Sequence, residues 1–383
     1  DEAFYSEDEI QEKNNRQISK ISGSVVEWVE EESYFFRLSR WQEPLLKFYS
    51  DNPKFILPES RKNEVTSFVK NGLKDLSISR KSFSWGIKVP SNNDHVIYVW
   101  LDALTNYISA LNYPHVQDKL YKDFWPASLH LIGKDILRFH AVYWPAFLLA
   151  ADIPPPKRVY GHGWILSGEE KMSKSKGNIL DPIEIIDQYG LDPLRYYLIK
   201  EVSFGNDGNI SQEKLENCIN SDLANNYGNL CQRVVSFNEK NFKLKIPNNY
   251  KFNKDDQQIL YTYSSNIENL INSIDNQNIN YYVNFIQEQL FAANKYFNDQ
   301  EPWKKKSDKE RLNSILYVSL ELIRKISILL YPIIPESSIK ALKTFNITED
   351  KIDFNSIKNH EILKVNSDIN KISILFKKIT KND

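Results

Sequence analysis

The sequence predicts two fold classes in succession: an α/β unit built on a parallel sheet, then an all-α antiparallel bundle. Three observations carry this expectation. Between residues 76 and 160, short β-branched and aromatic runs alternate with helical stretches, and glycines stand at the turns between them. From about residue 206 the apolar residues recur at steps of three and four, the period of one helix face. The length, 383 residues, suits two or three domains, each with its own core.

Taken in order, residues 1–74 alternate charged segments with short apolar runs such as Val25-Val26-Glu27-Trp28-Val29 and Tyr34-Phe35-Phe36-Arg37-Leu38. Trp41, Leu45, Leu46 and Phe48 predict a helix that Pro53 stops. Strands are expected at 95–100, 128–132 and 158–160. A helix over 103–111 follows the first, and one through Leu137, Val142 and Phe147, ending near Pro154, follows the second. That succession predicts one parallel sheet with ligands at the carboxyl ends of its strands. Asp192-Pro193 marks a helix start, with proline at the first helical position. The chain from 206 reads as all helix. Ile279, Val283, Ile286, Leu290, Ala293 and Phe297 form one core stripe, and Ile315, Val318, Leu322, Ile326 and Leu329 form another. The apolar stretch 315–334 has the length of a membrane span, but Glu321, Arg324 and Lys325 in its middle assign it to a bundle interior.

Composition narrows the function classes. With 49 basic and 50 acidic residues the net charge is -1, so any RNA contact must come from a local patch. Two cysteines, Cys218 and Cys231, supply neither a disulfide framework nor a four-thiolate zinc site, and reduced, buried thiols of a cytoplasmic protein are expected. The acidic start is unlike a secretory or organellar presequence. The single methionine is Met172, so a piece of a longer protein is expected.

Four residue sets could carry chemistry. Lys171-Met172-Ser173-Lys174-Ser175, carried between Gly168 and Gly177, makes a cationic finger suited to phosphates, or else a solvated basic loop. In Gly133-Lys134-Asp135, directly after a predicted strand, the glycine permits close approach of a nucleotide. The carboxylate can accept from ribose hydroxyls, or it can cap a helix. Phe139, His140 and Trp144 share one helix, as pocket wall or as plain core. Asn229 and Arg233, four apart, with Trp303 after Glu301-Pro302, offer an amide, a guanidinium and an indole. Those groups read unstacked bases; the alternative is helix packing and a solvated polar group.

The pentapeptide, with Ser167-Gly168 before it and Lys176-Gly177-Asn178 after it, resembles the lysine signature of class I aminoacyl-tRNA synthetases. The surrounding text is similar to the methionyl-tRNA synthetase family over essentially the whole chain. The resemblance implies the second half of a class I Rossmann-type parallel sheet followed by an antiparallel helical anticodon-binding bundle. Residues 1–74 would be the remainder of the connective insertion and its return helices, and 75–160 the second half of the catalytic domain. Residues 161–205 would hold the lysine loop and stem-contact region, and 206–383 the anticodon-binding domain.

It also implies the reaction: ATP, with Mg2+, activates methionine to methionyl-adenylate, which then charges tRNA(Met), the initiator included. Lys174, Lys171 and Arg80 would be catalytic, and Gly133, Asp135, His162, Gly163 and Lys174 would bind ATP. Trp100, Ala103, Tyr107, Phe139, His140 and Trp144 would bind methionine, and Asn229, Arg233 and Trp303 the anticodon. No zinc or other metal site, no membrane contact and a cytoplasmic monomer are expected. Two departures stand out: Leu104 occupies a position where the family often has proline, and no His-x-Gly-His string occurs. The second makes this chain an incomplete catalyst as given. It also leaves open a non-catalytic tRNA-binding or regulatory paralogue. A sibling synthetase for another aliphatic amino acid or cysteine is disfavoured by the Asn229, Arg233 and Trp303 trio.

Overall fold

The computed structural model describes residues 9–13, 16–20, 22–27, 32–167, 170–171 and 180–380, the side chains of 170 and 171 excepted. The chain divides into two compact units, residues 1–161 and 162–383.

The first unit opens with an antiparallel hairpin, β1 (Ile10–Lys13) and β2 (Arg16–Ser19). Strand β3 (Phe35–Phe36) leads to α1 (Gln42–Asp51), β4 (Ile56–Leu57) and α2 (Glu59–Lys70). Both helices turn an i, i+4 pair inward, Leu45 with Tyr49 and Val65 with Val69, into one core with Ile56, Ile132, Val142 and Val159. Strand β5 (Leu76–Ser77) pairs antiparallel with β3, and β6 (Ser79–Arg80), β7 (Lys88–Val89) and β8 (Asn92–Ile97) make a small antiparallel sheet. Helices α3 (Val99–Ser109) and α4 (Lys119–Phe124) follow. Next come β9 (His130–Gly133), a 3₁₀ turn at Lys134–Ile136 and a widened π-type turn at Phe139–Tyr143. That turn runs into α5 (Trp144–Ala150), and β10 (Val159–His162) comes last.

The sheet order is β4-β10-β9, with β10 parallel to β4 through Val159 to Ile56 and Tyr160 to Leu57. Two expectations change here. The strand expected at 95–100 is antiparallel and outside that sheet, and Val99 and Trp100 already belong to α3. The segment 1–74 contributes β4, whose two residues are too few to show any period.

In the second unit, β11 (Ile165–Ser167) pairs antiparallel with β12 (Glu170–Lys171). Helices α6 (Pro182–Tyr189) and α7 (Leu191–Glu201) lead to β13 (Gly208–Ile210), which is parallel to β11. The expected all-helix reading from 206 therefore misses one strand. It is again a run too short to carry a period. Asp192, in the first turn of α7, accepts the Ser337 N–H at 2.7 Å. Helix α8 (Gln212–Cys218) continues through a widened stretch, Ile219–Gly228, into α9 (Asn229–Phe242). Helices α10 (Lys254–Asp275), α11 (Ile279–Asp299), α12 (Lys309–Leu330) and α13 (Pro335–Lys343) complete the bundle. Both predicted stripes lie in its core, as do Cys218 and Cys231, and burial pushes the Cys218 thiol up to about 12. Among the described residues no helix is long and apolar enough to cross a membrane.

Past α13 the chain runs as a strap of short turns and not as helix, and this strap explains the charges inside α12. Glu321 pairs with Arg324 at 2.8 Å and accepts the backbone N–H groups of Ile362 and Leu363 at 2.9 and 2.8 Å. Arg324 donates to Ser356, and Lys325 to the carbonyls of Ile357 and Asn359. Burial, with Arg324 beside it, pulls Lys325 down to about 7. Removing the one carboxylate leaves the buried Arg324 guanidinium without its counter-charge and the Ile362 and Leu363 N–H groups without their acceptor. Glu321→Ala should therefore cost about 3–5 kcal/mol. Urea unfolding followed by far-ultraviolet dichroism should show this as a lower midpoint at unchanged slope.

Candidate functional site

The candidate pocket grows from the way β8 turns into α3. Trp100, Ala103 and Tyr107 fall at i, i+3 and i+7 on α3, so they share one face, while Leu104 and Ile108 bury the other. The widened turn places Phe139 and His140, and α5 opens with Trp144. The rings converge. Trp100 stacks on Phe139 with centroids 3.7 Å apart, and Tyr107 lies 5.6 Å from His140 and 6.4 Å from Trp144. Ala103, small and exposed, leaves the middle of the α3 face open.

Hydrogen bonding sets the tautomer of His140. Its Nδ1 is 2.9 Å from the Ile136 carbonyl oxygen, which can only accept, so Nδ1 carries the proton and Nε2 is the acceptor. The Tyr107 hydroxyl donates to that Nε2 at 2.9 Å. Burial lowers the His140 pKa and raises that of Tyr107, so both partners stay neutral. Behind Tyr107 sits His130, a residue the sequence reading used only as part of a strand. It is 5 % exposed and stacks on the Tyr107 ring at 4.2 Å.

Arg80 is not a surface arginine. It is 7 % exposed, donates to the Ser77 hydroxyl at 2.9 Å and the Ser79 carbonyl at 2.6 Å, and lies over the Tyr98 ring at 4.2 Å. At Gly133 a Cβ would meet the Asp135 carboxylate, Oδ1 lying 2.5 Å from its place, so the glycine leaves room for that side chain in its present position. Asp135 is exposed in the 3₁₀ turn that follows β9.

In the second unit, a Cβ at Gly163 would fall 2.2 Å from the Asn206 backbone, so glycine is needed there for packing alone. His162 donates from Nδ1 to the Gly163 carbonyl at 2.8 Å. Lys171 is placed by its backbone in β12, opposite Leu166, and Lys174 lies outside the described residues. Farther along, Arg233 donates to Asn298 at 2.6 Å and lies over the Phe297 ring at 5.5 Å. Trp303, 43 % exposed, meets the same ring edge-on at 6.3 Å. Asn229 is exposed one turn before Arg233 on α9. Phe297 thus supports Arg233 and Trp303, and Asn298 supports Arg233, while among the described residues no such contact joins Asn229 to them; Phe297 was legible only as core stripe, and Asn298 carried no signal. Among the described residues, no group of three or more His, Cys, Asp or Glu side chains is placed to hold a metal ion.

Comparison with known proteins shows the family. Residues 6–235 match the family model described as tRNA synthetases class I (M), and residues 246–383 match the anticodon binding domain of methionyl tRNA ligase. A methionine--tRNA ligase of Brucella suis is 49 % identical over 355 residues, 92 % of this chain and 69 % of the relative. Its counterpart in Rickettsia conorii is 48 % identical over 382 residues, 99 % of this chain and 74 % of the relative. Among solved structures, Mycobacterium tuberculosis methionyl-tRNA synthetase in complex with methionyl-adenylate superposes with a TM-score of 0.93 at 42 % identity. That match covers 98 % of this chain and 74 % of that one. The free-state structure of the same enzyme gives 0.92 at 40 % identity, over 99 % and 75 % of the two chains.

The neutral imidazoles make stability pH-dependent. His130 is held down at about 4 by burial, with His140 beside it, against an ordinary value of 6.5. Below 6.5 the unfolded chain takes up protons that the folded chain refuses, so stability is intact above 6.5 and is lost as pH falls toward 4. The slope from His130 alone is on the order of 1 kcal/mol per pH unit. Thermal unfolding should shift downward between pH 7 and pH 5, and His130→Phe should flatten that shift.

Proposed function

The chain belongs to the methionyl-tRNA synthetase family of class I aminoacyl-tRNA ligases; from that premise we propose that it activates methionine and charges tRNA(Met), the initiator tRNA included, as a cytoplasmic monomer. In the first step a methionine carboxylate oxygen attacks the α-phosphorus of ATP, which enters as its Mg2+ complex, and the bond to pyrophosphate breaks. In the second, a hydroxyl of the terminal tRNA ribose attacks the carbonyl carbon of the adenylate, and AMP leaves. The observation supporting methionine is the neutral ring box of Trp100, Tyr107, Phe139, His140 and Trp144, opened by Ala103. An unbranched, polarisable thioether makes favourable contacts with ring edges, and the box offers no charge that would favour a polar side chain.

The other roles follow the charge that each step develops. To Lys171, Lys174 and Arg80 falls the stabilisation of negative charge gathering on the leaving phosphates. Arg80 is suited to this because Ser77, Ser79 and Tyr98 already hold its guanidinium, so little ordering is left to do. Asp135, with Gly133, accepts from the ribose hydroxyls, and His162 with Gly163 bounds the adenine. In the bundle, Asn229 and Arg233 bond the edges of splayed anticodon bases while Trp303 provides a stacking plane.

The deciding experiment is exchange of labelled pyrophosphate into ATP by the full-length protein. Exchange should depend on methionine and not on other aliphatic amino acids or cysteine. Lys174→Ala should reduce it by about 10²–10³-fold with little loss of stability. Trp303→Ala should leave exchange intact and lower tRNA charging by about tenfold or more. A full-length protein that binds tRNA and is silent in exchange would be a binding module, and the ligase reading would fall.

A further inference from the structure

We propose that His130, which stands behind the pocket wall, is the positioning residue for Tyr107 and through it a determinant of thioether selectivity. The proposal rests on the methionine reading of the pocket. Tyr107 is half exposed on α3 and needs restraint on both sides if its ring is to serve as a wall. The hydrogen bond from its hydroxyl to His140 at 2.9 Å holds one end of the ring but leaves the plane free to rock about that bond. The plane is set by His130, which lies 4.2 Å away at 29° to it.

His130 is itself wedged. It sits on β9, edge-on to His140 at 6.1 Å and beside Trp125 at 6.1 Å, and Trp125 in turn meets Trp144 at 6.2 Å. Among the described residues neither ring nitrogen of His130 has a hydrogen-bond partner, so ring contacts and not polar bonds place it. The residues facing it from the packed elements, Tyr107 on α3, Trp125 after α4 and His140 in the widened turn, carry no formal charge in their neutral forms. A flat, uncharged five-membered ring fits between them, and a cation would not. The sulfur of methionine gains from ring edges held at a set distance, and an equally long hydrocarbon does not gain in the same way. A rocking Tyr107 would therefore lose the preference for sulfur before it lost the ability to bind.

The test compares methionine with norleucine, which has CH₂ in place of sulfur, in the exchange reaction of the full-length protein. His130→Leu fills the volume without a stacking plane. It should raise the KM for methionine and lower the methionine-over-norleucine preference, each by about 3–10-fold, with kcat nearly unchanged. His130→Phe restores the plane and should recover most of both. In a Tyr107→Leu background, His130→Leu should change nothing further, since it acts through Tyr107. The preference is a ratio measured on active molecules, so partial unfolding of a variant does not move it. An unchanged preference in His130→Leu, failure of His130→Phe to rescue, or a full effect persisting without Tyr107 would each overturn the proposal. A wild-type protein that does not activate methionine would instead overturn the functional reading beneath it.

Discussion

The hydrogen bond from Tyr107 to His140 has to survive inside a wall of rings, and much of the geometry of residues 99–150 follows from that requirement. The bond needs Nε2 of His140 free of its proton, which the Ile136 carbonyl secures by accepting from Nδ1. Ile136 is four residues back, where a regular α-helix would already use that carbonyl for the His140 backbone N–H. The widened turn at Phe139–Tyr143, a form frequent at functional sites, includes His140 itself. It also carries Phe139 against Trp100 and delivers Trp144 to the start of α5. A charged imidazole anywhere in this set would cost several times what the hydrogen bond contributes, so burial and tautomer enforce one another.

The bundle meets the opposite problem with related means. Its longest buried helix carries charge, and α12 tolerates it because each charged group also satisfies backbone polar groups of the strap at residues 356–363. Asp256 plays a comparable part near the start of α10, where it accepts from Asn253 in a capping box, from Tyr296 at 2.6 Å and from both arms of Arg311. Such networks add less to stability than apolar packing of equal volume would. What they supply is register: the strap can dock on α12 only where its carbonyls and N–H groups find their partners.

This division also explains how much could be read in advance. The stripes on α11 and α12 were legible because helical periodicity accumulates over five or six turns. The pocket face of α3 was not legible as a face, since Trp100 read as the end of a strand and only the family resemblance joined it to Ala103 and Tyr107. Strands β4 and β13 were not, being two and three residues long and defined only by partners more than forty positions away. The antiparallel setting of β8 was hidden for the same reason, as pairing direction is a property of the neighbour. His130 stood in plain view in His130-Leu131-Ile132-Gly133. Its role depends on a ring 23 positions earlier, and no local pattern announces that contact.

A net charge of -1 leaves the question of how the bundle could meet a polyanion at all, and its arginines suggest an answer. Arg311 and Arg324 are held by carboxylates, Asp256 and Glu321, so their charge is spent on the fold. Arg233 is held by the side-chain oxygen of Asn298, a neutral amide, with the Phe297 ring beneath it. An amide orients a guanidinium as well as a carboxylate does through one arm, but it leaves the positive charge uncancelled. A guanidinium so held keeps its field and its remaining donors for an outside partner, at a cost in stability that a paired arginine would not incur. Trp303 shares the same phenylalanine, so the charge and the stacking plane are set by one ring and cannot drift independently. On the proposed reading it is local arrangement of this kind, and not overall charge, that offers RNA a site on a nearly neutral chain.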